Sequence, residues 1–242
     1  MGVQRQSRRE RLRAATTAQI KATALSHLAS EGSNAVSLRA IAREMGMTAA
    51  AIYGYFDTRE ALVEELIADL HEALAERLDQ ACRDVAADDP AAAILALGHA
   101  YRHWAISNPQ YFHLIHGRSA DERHPVPEAA HRGPRLLAWL VAARIGDGDA
   151  GLDPGFPSAH HAYDWADFAP EYVTRVRAVH ADVSPAAVAL ALRWWARMHG
   201  LVSLEVYGHL GSQTREPEKL FNAEIQQFAA ALGGAPGARE RE

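Results

Sequence analysis

The side chains best suited to specific chemistry crowd into one stretch, Ser37 to Arg59. Arg39 carries a fork of donors that matches the acceptor edge of guanine and equally suits a solvated contact to a phosphate. Ser37 and Thr48 carry hydroxyls that can cap a helix or meet a phosphate. Ala49 and Ala50 offer only apolar contact, as with a thymine methyl. Bond-making chemistry is not in view: the chain has no Gly-x-Ser-x-Gly elbow and no Gly-rich run ahead of Lys-Ser or Lys-Thr. The other reactive side chains are 13 His. His99 and His103 stand at i, i+4, and His113 and His116 at i, i+3, spacings at which two imidazoles can share a metal. No Cys or carboxylate joins them at a recognisable metal-motif spacing, and His160-His161 fall in a loop-like stretch. No cofactor is implied. Metal sensing by these His is the alternative to the reading below.

The elements that must hold Ser37 to Arg59 are short helices. Leu38, Ile41, Ala42 and Met45 recur as one buried helical face. Ser37 occupies the N-cap position, and Gly46 stands where a left-handed residue ends the helix. Thr48 caps a second helix, whose Ile52 and Phe56 repeat at i, i+4. Ala42 and Ala51 are the small residues expected where the two helices cross. Two short helices joined by a Gly turn form a helix-turn-helix, whose second helix enters the DNA major groove by its N-terminal residues. Ahead of them, Ile20, Ala24 and Leu28, with Leu25 beside, predict a helix from about Arg11 to Glu31-Gly32. It closes a three-helix domain. Met1 to about Glu10 reads as a mobile basic arm, either one that touches phosphates or the minor groove or a merely disordered leader.

Ser37-Leu-Arg-x-Ile-Ala-x-x-Met-Gly46, Thr48-x-x-x-Ile-Tyr-x-Tyr-Phe56 and Thr58-Arg59-Glu60-x-Leu62, in that order, resemble the DNA-binding domain of the TetR family of bacterial transcriptional regulators. The resemblance implies a DNA-facing side chain at Arg39. It places Tyr53 and Tyr55 where hydroxyls bond phosphates, contacts that position without specifying. Tyr55 stands where His is commoner. Gly54 replaces a bulkier residue, at a helix cost of about 1 kcal/mol against Ala. Arg59 replaces the usual Lys and can still reach a phosphate.

The charge is divided. Residues 1–60 hold nine Lys/Arg against five acids, a net of +4, and the rest holds 16 against 25, a net of −9. A basic head on an acidic body is what one DNA-facing end requires. Helix formers dominate the 242 residues, 48% of which are hydrophobic, and no alternating β-branched run appears, so the class is all-α. Cys82 is alone, as suits a reducing cytoplasm. No apolar run approaches the roughly 18 residues of a membrane span, and none follows the basic N-terminus as a signal peptide requires.

Residues 61–232 should form a helical body behind the head of residues 1–60. Leu62, Leu66, Leu70, Leu74 and Leu78 predict a long helix uninterrupted until Asp89-Pro90. Ile94, Leu97, Tyr101 and Trp104 point inward from the next, and Asn108-Pro109 opens a short one to His116. Residues 118–133 read as loop, Pro134 to about Ile145 as helix, Gly146 to about Pro170 as a long Gly- and Asp-rich loop, and Glu171 to His180 as a short helix. Ser184-Pro185 opens a helix that is apolar almost all round. The last helix, about Glu216 to Leu232, groups Leu220, Phe221, Ile225, Phe228 and Leu232, and residues 233–242 read as a disordered tail. Tyr101-Arg-x-Trp-Ala-x-x-Asn-Pro-x-Tyr-Phe-x-Leu-Ile-His-Gly117 resembles TetR-family ligand-binding domains. Trp195-Ala-Arg-Met-His199-Gly200 resembles the subgroup named for its Trp-x-x-x-His-Gly motif. The expected protein is a homodimer through its last two helices that binds double-stranded, pseudo-palindromic operator DNA. A small, largely apolar effector relieves repression, although the same sequence suits an activator. Tyr101, Trp104, Tyr111, Phe112, Met198 and His199 are the candidate pocket walls, although aromatics at helical spacing are core by default and His199 equally suits a core histidine bonded to a backbone carbonyl.

Overall fold

The structure, a computed structural model, describes residues 7–32, 36–85, 89–117, 126–145 and 163–232. Among them are ten α-helices and no strand. The stretches 146–162 and 233–242, predicted as loop and tail, lie outside the described residues. The chain folds as two compact units: Met1–Glu72 with Asn108–Pro127, and Ala73–Ser107 with Glu128–Glu242.

In the first unit, α1 (Arg8–Glu31) begins three residues before the expected point. The cause is a capping box. Ser7 accepts from the Glu10 amide, and the Glu10 carboxylate accepts from the Ser7 amide. The expected arm of residues 1–10 is correspondingly shorter. Ile20, Ala24 and Leu28 of α1 are fully buried. Helix α1 packs against α2 (Leu38–Glu44), whose Leu38, Ile41 and Ala42 are buried. Gly46, at φ +65°, ends α2 with the bond pair of a Schellman turn, Met47 N–H to Ala42 O and Gly46 N–H to Arg43 O.

The second helix of the motif, α3 (Ala49–Tyr53), is five residues long. It stops at Tyr53, so Gly54 is its C-terminal cap rather than an interior residue, and the expected propensity cost does not arise there. Phe56 is buried from the turn that follows. Ala42 is buried at the helix crossing as expected, but Ala51 is exposed because Ile52 alone faces inward. Thr58 caps α4 (Arg59–Arg83) by accepting from Ala61 N–H at 3.0 Å. Leu62, Leu66, Leu70, Leu74 and Leu78 are all buried along this 25-residue helix. The boundary between the units falls inside it. Lys21 bonds Glu65 and Asp69, each at 2.8 Å, fastening α1 to the first half of α4. The first unit is completed by α6 (Pro109–His116), whose Phe112, Leu114 and Ile115 are buried.

The second unit contains α5 (Pro90–Ser107), α7 (Arg132–Ile145), α8 (Pro170–Val179), α9 (Pro185–Val206) and α10 (Pro217–Ala231). Helix α7 starts inside the predicted 118–133 loop, after a 3₁₀ turn at Glu128–His131, and a second 3₁₀ turn covers Trp165–Asp167. Ser184 caps α9 by accepting from Ala187 N–H. Helix α9 packs against α7, α5 and α10, which is why it is apolar on so many sides. Trp194 stacks on Phe228 with ring centroids 4.3 Å apart. Leu220 does not join Phe221, Ile225, Phe228 and Leu232 in the core: it is exposed.

Candidate functional site

The predicted interface residues occupy one unit and lie on or beside α2, α3 and the start of α4. Thr48 caps α3 by accepting from Ala51 N–H at 3.1 Å. Ala49, Ala50 and Tyr53 are exposed, while Ile52 is fully buried. The five-residue helix is thus held by one apolar side chain and presents almost everything else. Arg39 is exposed on α2, and Arg43 one turn later is exposed as well. Ser37 is extended at the N-cap position, yet its side chain makes no cap bond. The hydroxyl oxygen is therefore not used as a cap acceptor.

Two of the predicted contacts are engaged within the unit. Arg59 donates from Nε to the Val36 carbonyl at 2.9 Å, joining the first turn of α4 to the segment that leads into α2. Tyr55 is half-buried under the Arg13 guanidinium, which lies 4.9 Å from the ring centre. Arg13 also donates to the Gly54 carbonyl at 2.8 Å. Sequence reasoning missed Arg13. Its partners lie 41 and 42 residues away, and nothing in the α1 pattern distinguishes it from a solvated arginine.

The six candidate pocket residues are divided between the units. Tyr111 and Phe112 lie on α6 in the first, where Phe112 packs on His116 with ring centroids 4.6 Å apart. Tyr101, Trp104, Met198 and His199 belong to the second, and the first three are buried. The Tyr101 hydroxyl and His199 Nδ1 are 2.6 Å apart, and His199 Nε2 lies 3.3 Å from Ser203 Oγ. Burial lowers the His199 pKa, so the ring is neutral near pH 7. A neutral ring with its proton on Nε2 accepts from Tyr101 and donates to Ser203. Tyr101 has its pKa raised by the same burial and keeps its hydroxyl proton. Trp195 tilts against Tyr101 at 5.1 Å. Arg102, one residue on, forks onto Glu205 at 2.9 and 2.7 Å. Sequence reasoning did not single out Trp194 as polar, yet its Nε1 is buried with no acceptor among the described residues. Among the described residues no three His, Cys, Asp or Glu side chains are grouped to hold a metal ion. No described helix is long and apolar enough to cross a membrane.

Residues 20–66 match the model of the bacterial regulatory proteins of the tetR family, and residues 94–228 match that of the tetracyclin repressor-like C-terminal domain. The chain belongs to the TetR family. It is a transcriptional regulator and not an enzyme. The helix-turn-helix-type transcriptional regulator Rv1816 of Mycobacterium tuberculosis is 29% identical over 210 residues, covering 85% of this chain and 87% of that protein. Its counterpart Mb1846 in Mycobacterium bovis has the same 29% identity and the same coverage, 85% and 87%. The crystal structure of regulatory protein SCO4313 has 32% identity and a TM-score of 0.67, over 91% of this chain and 98% of that one. A Rhodococcus sp. RHA1 protein of unknown function shares the fold, with a TM-score of 0.61 at 22% identity over 89% and 92% of the two chains.

Proposed function

We propose that this TetR-family regulator is a repressor that binds a pseudo-palindromic operator as a homodimer and leaves it when a small, largely apolar effector binds. The observation that carries the DNA reading is the posture of α3. Ile52 is fully buried, and Ala49, Ala50 and Tyr53 face outward. A helix so presented can enter a major groove with Thr48, Ala49 and Ala50 foremost. Arg39 then reads a guanine edge. Ser37 and Tyr53 hold phosphates, and Tyr55 and Arg59 brace the unit while keeping their polar edges near the backbone. Dimerisation through α9 and α10 accounts for three exposed apolar side chains, Leu204, Tyr207 and Leu220. Two heads on one two-fold axis then address half-sites about 34–36 Å apart.

The effector reading rests on the second unit. Tyr101, Trp104 and Met198 supply apolar wall, and His199 supplies a polar anchor. The buried Trp194 N–H is a donor that an effector carbonyl or ether would satisfy. Release follows if the effector favours the dimer state in which the heads no longer match both half-sites. Selecting bound duplexes from a random-sequence pool tests the DNA reading. Recovery of an inverted repeat is expected. A pool with no repeat, or with one half-site alone, would refute the dimeric operator.

A further inference from the structure

We propose that Arg13 of α1 is a positioning residue for DNA recognition, clamping the end of α3 and the Tyr55 ring in the pose that meets the duplex. This rests on the reading that α3 is the groove-entering helix. Five residues are too few to sustain a helix unaided, because nucleation costs more than so few bonds return. Three outside ties hold α3 instead. Thr48 caps the N-terminal end, Ile52 anchors the inner face, and Arg13 bonds the Gly54 carbonyl at the C-terminal end. A cation at that end also meets the negative pole of the helix. The same guanidinium covers the Tyr55 ring at 4.9 Å. One side chain therefore fixes both the last carbonyl of the turn and the phenol next to it. Doing both at once needs a flat group with donors at fixed angles. A lysine ammonium offers one contact or the other.

The clamp differs in kind from a phosphate contact, and the two are separable. The probe is a duplex selected by the wild-type protein from a random pool. The proteins are the full chain, Arg13→Ala, Arg13→Lys, Tyr55→Leu and the double variant Arg13→Ala/Tyr55→Leu. Arg13→Ala should weaken binding about tenfold with the slope of log affinity against log salt unchanged. Arg13→Lys should fail to restore it. The double variant should lose less than the product of the two single losses, because both remove one arrangement. Hydrogen exchange on the free protein supplies an arm without DNA: amides of residues 52–56 should exchange faster in Arg13→Ala, with those of α4 unchanged. A slope lowered by about one charge, with affinity restored by Arg13→Lys, would make Arg13 a phosphate ligand and overturn the clamp. Unchanged exchange at residues 52–56, or loss of the whole cooperative melt, would overturn it equally. A wild-type protein that binds no duplex defeats the DNA reading by itself, and the exchange arm then still decides whether the clamp exists.

Discussion

Gly133 stands second in α7, and among the described glycines it is the one where a side chain would meet its neighbours most closely. A Cβ built there would lie 2.7 Å from Cη2 and 2.9 Å from Cζ3 of Trp195, and 3.1 Å from Leu78 Cδ1. Carbon atoms prefer roughly 3.5–4.0 Å, so the ring would have to retreat by most of an ångström. Overpacking of this kind costs about 1–3 kcal/mol. The gain in helix propensity from Gly to Ala is at most about 1 kcal/mol, and less in a first turn. Gly133→Ala should therefore destabilise by about 1–2 kcal/mol, lowering Tm by roughly 2–8 °C for a chain of this size. The displaced indole also abuts Tyr101, whose hydroxyl bonds His199. The disturbance thus reaches the proposed effector wall and should shift tryptophan fluorescence. The assay is thermal unfolding of four proteins: wild type, Gly133→Ala, Trp195→Phe and the pair. The two nearest atoms belong to the benzo ring of the indole, and the third is the end of the flexible Leu78 side chain. In the Trp195→Phe background, Gly133→Ala should become neutral or mildly stabilising. A Gly133→Ala protein as stable as wild type, or an unchanged penalty beside Phe, would refute the reasoning.

The interface makes its own predictions. Arg39→Ala should relax preference at one base pair per half-site, at a cost of about 1–3 kcal/mol, in a repeated selection. A uniform loss with preference intact would reduce Arg39 to a phosphate contact. Tyr53→Phe should weaken selected and random duplexes alike by about 0.5–1.5 kcal/mol, measured by titration at one salt concentration. A loss confined to the selected duplex would contradict a positioning role. For the dimer, Leu204→Glu with Leu220→Glu should give a folded monomer by sedimentation and sharply reduced operator affinity, and an unchanged mass would reject α9 and α10 as the interface. Acid stability follows from the histidines. Burial lowers the pKa of His131, His180 and His199. The unfolded chain takes up these protons at about pH 6.5 and the folded chain only below that. Stability is thus full above about pH 6.5 and falls as pH drops through the window beneath it. His199→Gln should shallow the fall in Tm between pH 7 and pH 5, and an equally steep fall would remove His199 from the account.

Much of the fold was legible because its signals are local. The leucines from Leu62 to Leu78 repeat every four residues, and that period alone marks a helix with one buried stripe. Thr48, Thr58 and Ser184 cap where short polar residues precede apolar runs, and Gly46 takes the left-handed conformation that its place after Met45 demands. Leu220 and Ala51 show where such reasoning stops. Each fits its helical pattern, but which side of a helix finds a neighbour depends on the neighbour, and both are exposed. Ser37 likewise holds the cap position without making the cap bond.

Residue order by itself settled the helical class, the basic head ahead of an acidic body, and the helix-turn-helix. All of these are properties of sequence-adjacent residues, whose geometry the backbone period dictates. Only tertiary structure decided that Arg13 meets Gly54 and Tyr55, that Arg59 is tied to the Val36 carbonyl, and that Gly133 makes room for Trp195. It also grouped Tyr111 and Phe112 with the head rather than with Tyr101 and His199. Those meetings join residues tens of positions apart. They arise from packing that excludes water over whole helices, and no period of three or four residues encodes them.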